Sequence, residues 1–203
     1  MVSIRLSNEQ LKGALRHAEL NCGQGIGKMP SQIHDNDQRQ QRMGVDQAVG
    51  QVAMCAVSKY LHGNTTTYFT TRFHRNQAPD QSDGGYDLGA VNIDVKGGLM
   101  RHSRDPENFM LLVRPHEVHP EWVYIHCLLY HPSENPIDWL EVHPKIYLTG
   151  WCTTEDLPPE PIDAGPLKGA LGVPVPDLNP LPPLRYDWFP NGSQGEDSKL
   201  LGR

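Results

Sequence analysis

The chain has 203 residues, 37% hydrophobic and 21% charged, which argues for one globular domain with an appended segment and enough length to bury a core. Its formal charge of −6 excludes a chain coated in lysine for non-specific phosphate binding, yet leaves nucleic acid open, because binding depends on where charge sits rather than on its sum. No apolar run reaches the roughly 18 residues that cross a bilayer, and the start MVSIRLSNEQ lacks the apolar core of a signal peptide, so a cytoplasmic protein without membrane contact is expected.

Residues 7–20, SNEQLKGALRHAEL, read as a helix: Ser7 can cap it, and Leu11, Leu15 and Ala18 recur at helical spacing. The polar, glycine-containing stretch 21–41 reads as a connection running around the outside. Within it CGQGIGK hints at a phosphate loop, but Cys22 and Met29 stand where that pattern needs Gly and Ser or Thr. A loop in which Lys28 touches a phosphate is the reading that remains. Residues 44–62 give the strongest helix signal, with a broad apolar face from Val45 to Leu61 that should pack on a sheet. Gly63 and Asn64 supply the stop, and TTTYFTTRF, 65–73, is rich enough in Thr and aromatics to predict a strand.

Further strands are expected at 108–113, 122–130 and 145–151, short apolar or alternating runs bounded by Pro, His and Gly. A long helix followed by several strands predicts an α/β domain, a mixed β-sheet flanked by helices, over residues 1–156. From 157 to 190 the text is too rich in proline for regular elements. It is expected to lie extended over the domain, anchored by Leu181, Leu184, Tyr186, Trp188 and Phe189, with 191–203 a disordered tail. The four cysteines, Cys22, Cys55, Cys127 and Cys152, are scattered without a CxxC pair and read as reduced, mostly buried thiols.

The stretch DGGYDLGAVNIDVKGG, 83–98, carries the chemistry. With Gly89 and Ala90 as a two-residue turn, alternation sends Val91, Ile93 and Val95 to one face of a hairpin. Asn92, Asp94, Lys96 and Asp87 then share the other, with Asp87 diagonal to Asp94 at roughly 7 Å between backbones. Two carboxylates at that spacing suit a hard divalent ion such as Mg²⁺, its shell completed by the Val95 carbonyl and waters. Lys96 would hold an attacking water or offset charge on a pentacoordinate phosphorus. The alternative is a solvent-facing strand end whose Asp, Asp and Lys keep the hairpin soluble.

GVDQAVGQVAMCAVSKYL, DGGYDL, IDVKGG and YLTGWCTTEDL occur in that order over about residues 44–157. In this the chain resembles the PD-(D/E)xK nuclease superfamily, in particular the small nucleases of phage and mobile elements. The resemblance implies a restriction-endonuclease-like fold, Asp87 and Asp94 as metal ligands, Lys96 as the catalytic lysine, Mg²⁺ or Mn²⁺ as cofactor and DNA as substrate. Gln51 stands where the family's helix carries Glu. It can offer a neutral carbonyl oxygen to a metal or its water but cannot serve as a base, so either the site binds metal more weakly, another acid such as Glu19 or Asp83 substitutes, or the site is degenerate.

Arg72, Arg75, Arg101 and Arg104 cluster around the opening of this region and would line a DNA groove, or remain solvated loop charges. His116, His119, His126 and His131 have a spacing that binds zinc only if they meet. The expected function is metal-dependent hydrolysis of DNA phosphodiesters. The rival is a nuclease-fold protein that binds nucleic acid or plays a structural part without cutting. A homodimer would suit cleavage of both strands.

Overall fold

The computed structural model of the protein describes residues 1–23, 36–70, 93–102, 105–163 and 168–181. The first helix, α1 (Asn8–Gly23), starts from Ser7. The Ser7 hydroxyl accepts the Gln10 N–H at 3.3 Å, and the Gln10 side chain accepts the Ser7 N–H at 2.9 Å. Two donors that a helix start leaves orphaned are thus satisfied reciprocally.

Helix α2 (Asn36–His62) is longer than the sequence pattern predicts, because 36–41, read as part of a connection, and 42–43 are helical as well. That run is rich in Gln and Arg, which favour helix without marking a face, and Met43 near its end is buried. Farther along, Val52, Ala53, Cys55, Ala56 and Val57 are all fully enclosed. Residues on every side of α2 are therefore apolar, which follows from its place between the sheet and α1. Each enclosed valine contributes roughly 1.5–3 kcal/mol of burial.

Over its described part the strand expected at 65–73 is replaced by helix, at residues 66–70; residues 71–73 lie outside the described residues. Asn64 caps this segment, its Oδ1 accepting the Thr66 N–H at 2.8 Å, and the Phe69 N–H reaches the Thr65 carbonyl at 3.1 Å. Tyr68, with no exposed surface, packs its ring edge-on against His17 of α1. The local cap and that tertiary contact outweigh the β-propensity of the threonines.

Six strands follow from the described residues: β1 (Val2–Ile4), β2 (Ile93–Met100), β3 (Met110–Val113), β4 (Val123–Tyr130), β5 (Lys145–Thr153) and β6 (Leu171–Pro174). Four form a mixed sheet in the order β1-β5-β4-β2, with β2 parallel to β4 and the other pairs antiparallel. The remaining two, β3 and β6, pair antiparallel as a second small sheet. The fold is mixed α/β. No helix among the described residues is long and apolar enough to cross a membrane.

The two faces of the main sheet bury different cores. Ile93, Val95, Ile125, Cys127 and Leu148 pack with α1 and α2. On the opposite face Tyr124 and Cys152 pack with Leu111, Val113, Val173 and Leu178 of the β3–β6 layer. The proline-rich segment therefore does contain regular structure, contrary to expectation: β6 ends on Pro174, where a missing N–H costs the ladder little. Past it comes a 3₁₀ turn, Val175–Asp177, after which Asn179 exchanges both backbone hydrogen bonds with Trp151 and Leu181 packs on the main core. Leu184, Tyr186, Trp188, Phe189 and the tail 191–203 lie outside the described residues.

Candidate active site

Alternation along β2 sorts its side chains. Val95 is buried on the helical side, and a Cβ placed on Gly97, the next residue on that face, would stand 3.0 Å from Val49 Cγ1 and 3.2 Å from Ala53 Cβ. Helix α2 therefore sits directly against this face. Asp94 and Lys96 alternate with these residues and take the opposite face, beside Tyr124 and His126, their register partners on the parallel strand β4. The predicted sharing of a face by Asp94 and Lys96 is thus present. Asp87, Lys28, Asp83 and the Gly89–Ala90 turn lie outside the described residues.

Lys96 Nζ makes two short ion pairs, 2.8 Å to Asp94 Oδ2 and 2.8 Å to Glu117 Oε2. The two carboxylate oxygens are thus no more than twice 2.8 Å apart. The cluster is graded in exposure, with side chains 11% exposed at Asp94, 18% at Lys96 and 30% at Glu117. Burial alone would pull the Lys96 amine down, but the two carboxylates outweigh it and hold the amine above the ordinary lysine value. Burial would likewise raise Glu117, and the ammonium beside it more than reverses that, leaving its carboxyl below the usual range.

Glu117 is the residue that sequence reasoning misses. It closes the 3₁₀ turn Pro115–Glu117, which Pro115 starts with its fixed φ, and its Oε2 also accepts the Arg114 N–H at 3.2 Å. The turn is pinned from inside the protein. Tyr124, fully buried, donates its hydroxyl to the Glu117 carbonyl at 3.1 Å and accepts the His119 N–H at 3.1 Å. Nothing local in the sequence marks Glu117, because its partner is 21 positions away and meets it only through the β3–β4 connection.

His126 lies beside Lys96 in register and is 3% exposed, with Nδ1 2.8 Å from Thr149 Oγ1. Burial pulls its pKa down to about 4, so the ring is neutral at pH 7. His131 is also buried, its Nδ1 accepting the Ser133 N–H, whereas His116 and His119 are exposed. No group of three or more His, Cys, Asp or Glu able to hold a metal is gathered among the described residues.

Gln51 is not brought to Lys96. On α2 it stands half a turn around from Val49 and Ala53, the residues that meet β2, and its Oε1 accepts the Tyr68 hydroxyl at 2.9 Å in a buried pair. Glu19, on α1, lines a separate groove with Lys12, Arg16 and Glu134. Arg101 forms an ion pair with Glu134, which Arg42 also approaches at 3.7 Å. Its charge is therefore compensated locally. Arg72, Arg75 and Arg104 lie outside the described residues. Cys55, Cys127 and Cys152 are buried and reduced, and burial pushes the thiols of Cys55 and Cys152 up to about 12, which leaves them inert.

The oxygen donors on β2, the Asp94 carboxylate and the main chain at Val95, are of the class that Mg²⁺ and Mn²⁺ prefer, and in that respect the residues present fit such an ion. No family model matches the chain, no curated protein matches it, and no solved structure matches it.

Proposed function

We propose that the protein is a metal-dependent nuclease of the restriction-endonuclease-like fold, hydrolysing DNA phosphodiesters by attack of water. The observation that carries this reading is the Lys96 amine held 2.8 Å from Asp94 on one polar face of β2. The order of sequence motifs around it and the mixed sheet that bears it support the same reading. Asp94, the Val95 carbonyl and Asp87 would hold Mg²⁺ or Mn²⁺, which when bound would polarise the phosphodiester and acidify a water. Lys96 would place its ammonium against the oxygens that gain charge as phosphorus becomes pentacoordinate. Two copies would be needed to cut both strands of a duplex in one encounter.

A second reading, a nuclease-fold protein that binds nucleic acid without cutting, is favoured by one observation: Gln51 stands where an acid is expected and is bonded to Tyr68. Cleavage assays on plasmid, single-stranded DNA and RNA with Mg²⁺ or Mn²⁺ separate the two. The nuclease reading predicts metal-dependent cutting that Asp94→Asn and Lys96→Ala each lower by at least about 10²-fold. Binding without cutting on every substrate would favour the second.

A further inference from the structure

A lysine ammonium is a compact point charge on a flexible four-carbon stem, so an unheld Lys96 would sample many positions over the sheet face. Asp94 alone, two residues away on the same strand, gives it one contact at 2.8 Å. The second contact comes from the 3₁₀ turn Pro115–Glu117. Glu117 Oε2 is tied to the Arg114 N–H at 3.2 Å, and the backbone on either side of the turn's end is bonded to the Tyr124 hydroxyl, at the Glu117 carbonyl and the His119 N–H. Tyr124 is the register partner of Asp94, so the strand that supports the first carboxylate also supports the second. A mere surface ion pair would need neither the buried hydroxyl nor the closed turn.

We propose that Glu117 is a positioning residue of this site, acting through Lys96: the carboxylate, pegged by Tyr124, fixes where the Lys96 amine sits. The proposal rests on the nuclease reading for its functional meaning, since Lys96 is the charge-stabilising group there. The two carboxylates and the tyrosine form one unit, and loosening any part frees the amine. Because a misplacement of about 1 Å can cost on the order of 10²-fold in rate, Glu117→Gln should lower kcat by about that factor with KM little changed. Glu117→Asp, which keeps the charge on a shorter arm, should recover part of the loss.

Two measurements decide it. Side-chain carbon relaxation of isotopically labelled Lys96, with no substrate present, should show the Lys96 stem losing order in Glu117→Gln and in Tyr124→Phe, while Glu117→Asp stays closer to the wild type. In cleavage, Glu117→Gln should add no further loss to Lys96→Met, since both remove one function. A Lys96 side chain as ordered in Glu117→Gln as in the wild type overturns the proposal, and so do losses that multiply. A wild type that cuts no nucleic acid strikes the nuclease reading instead, and the relaxation measurement still decides whether Glu117 fixes Lys96.

Discussion

His126 stands next to Lys96 in the sheet, buried, with its Nδ1 against Thr149. Its pKa falls from 6.5 in the unfolded chain to about 4 in the folded protein. Between those values the unfolded chain binds the extra proton, so stability rises with pH there, is complete above about 6.5, and is lost as pH falls towards 4. The size is about 3 kcal/mol. Denaturant unfolding from pH 7 to pH 4 should show this loss, and His126→Asn, which keeps a partner for Thr149 but does not titrate, should flatten it by close to one proton. An equally steep acid loss in the variant would assign it to other groups. Glu117, whose folded value is also lowered, adds a smaller loss below its unfolded value of 4.5.

Asp94 and Lys96 were legible at this scale because a strand's period of two fixes which side chains share a face. Glu117 was not, since its contact with Lys96 exists only after β3 and β4 are in place. Gln51 was legible as a departure in the helix motif, but its partner Tyr68 was not, since that residue was read as part of a strand.

Among the elements, β4 and β5 were read almost to the residue: each is a long apolar run with clear punctuation. Strand β1 escaped notice because three residues are too few to show alternation. Strand β6 escaped because Pro174 and the prolines around the strand mask a pairing that only β3 provides.

Gly150 of β5 shows what the C-terminal segment requires of the sheet. A Cβ there would lie 2.6 Å from Leu178 Cβ and 2.8 Å from the Asn179 carbonyl, so Gly150→Ala must push the segment off Trp151. The expected cost is about 1–3 kcal/mol, read as a lower denaturation midpoint. No loss would mean that the segment does not dock as described. The turn His119–Trp122 offers the opposite test. Glu121 takes φ 66°, after Pro120, in a turn closed from the Trp122 N–H to the His119 carbonyl. Such a conformation costs a non-glycine roughly 1–2 kcal/mol. Less the entropy that glycine loses on folding, Glu121→Gly should stabilise the protein by about 0.5 kcal/mol. Destabilisation would mean that the Glu121 side chain itself holds the turn.

At the scale of the molecule, the sheet separates two cores, and the Lys96 cluster lies on the side that faces the β3–β6 layer. Helix α2 backs β2 from one side, while Tyr124 and the 115–117 turn hold the cluster from the other. The polar group is thus backed from both faces of the sheet, which the proposed role of Lys96 requires.

The most direct test is the rate of phosphodiester cleavage by the wild-type protein and by Asp94→Asn and Lys96→Ala, each with Mg²⁺, with Mn²⁺ and with a chelator. Single-stranded, duplex and branched DNA should be offered alongside RNA. The expected result is cutting that requires the metal and falls by at least about 10²-fold in both variants. Metal-dependent cutting that survives both substitutions, or no cutting of any substrate by the wild type, would contradict it.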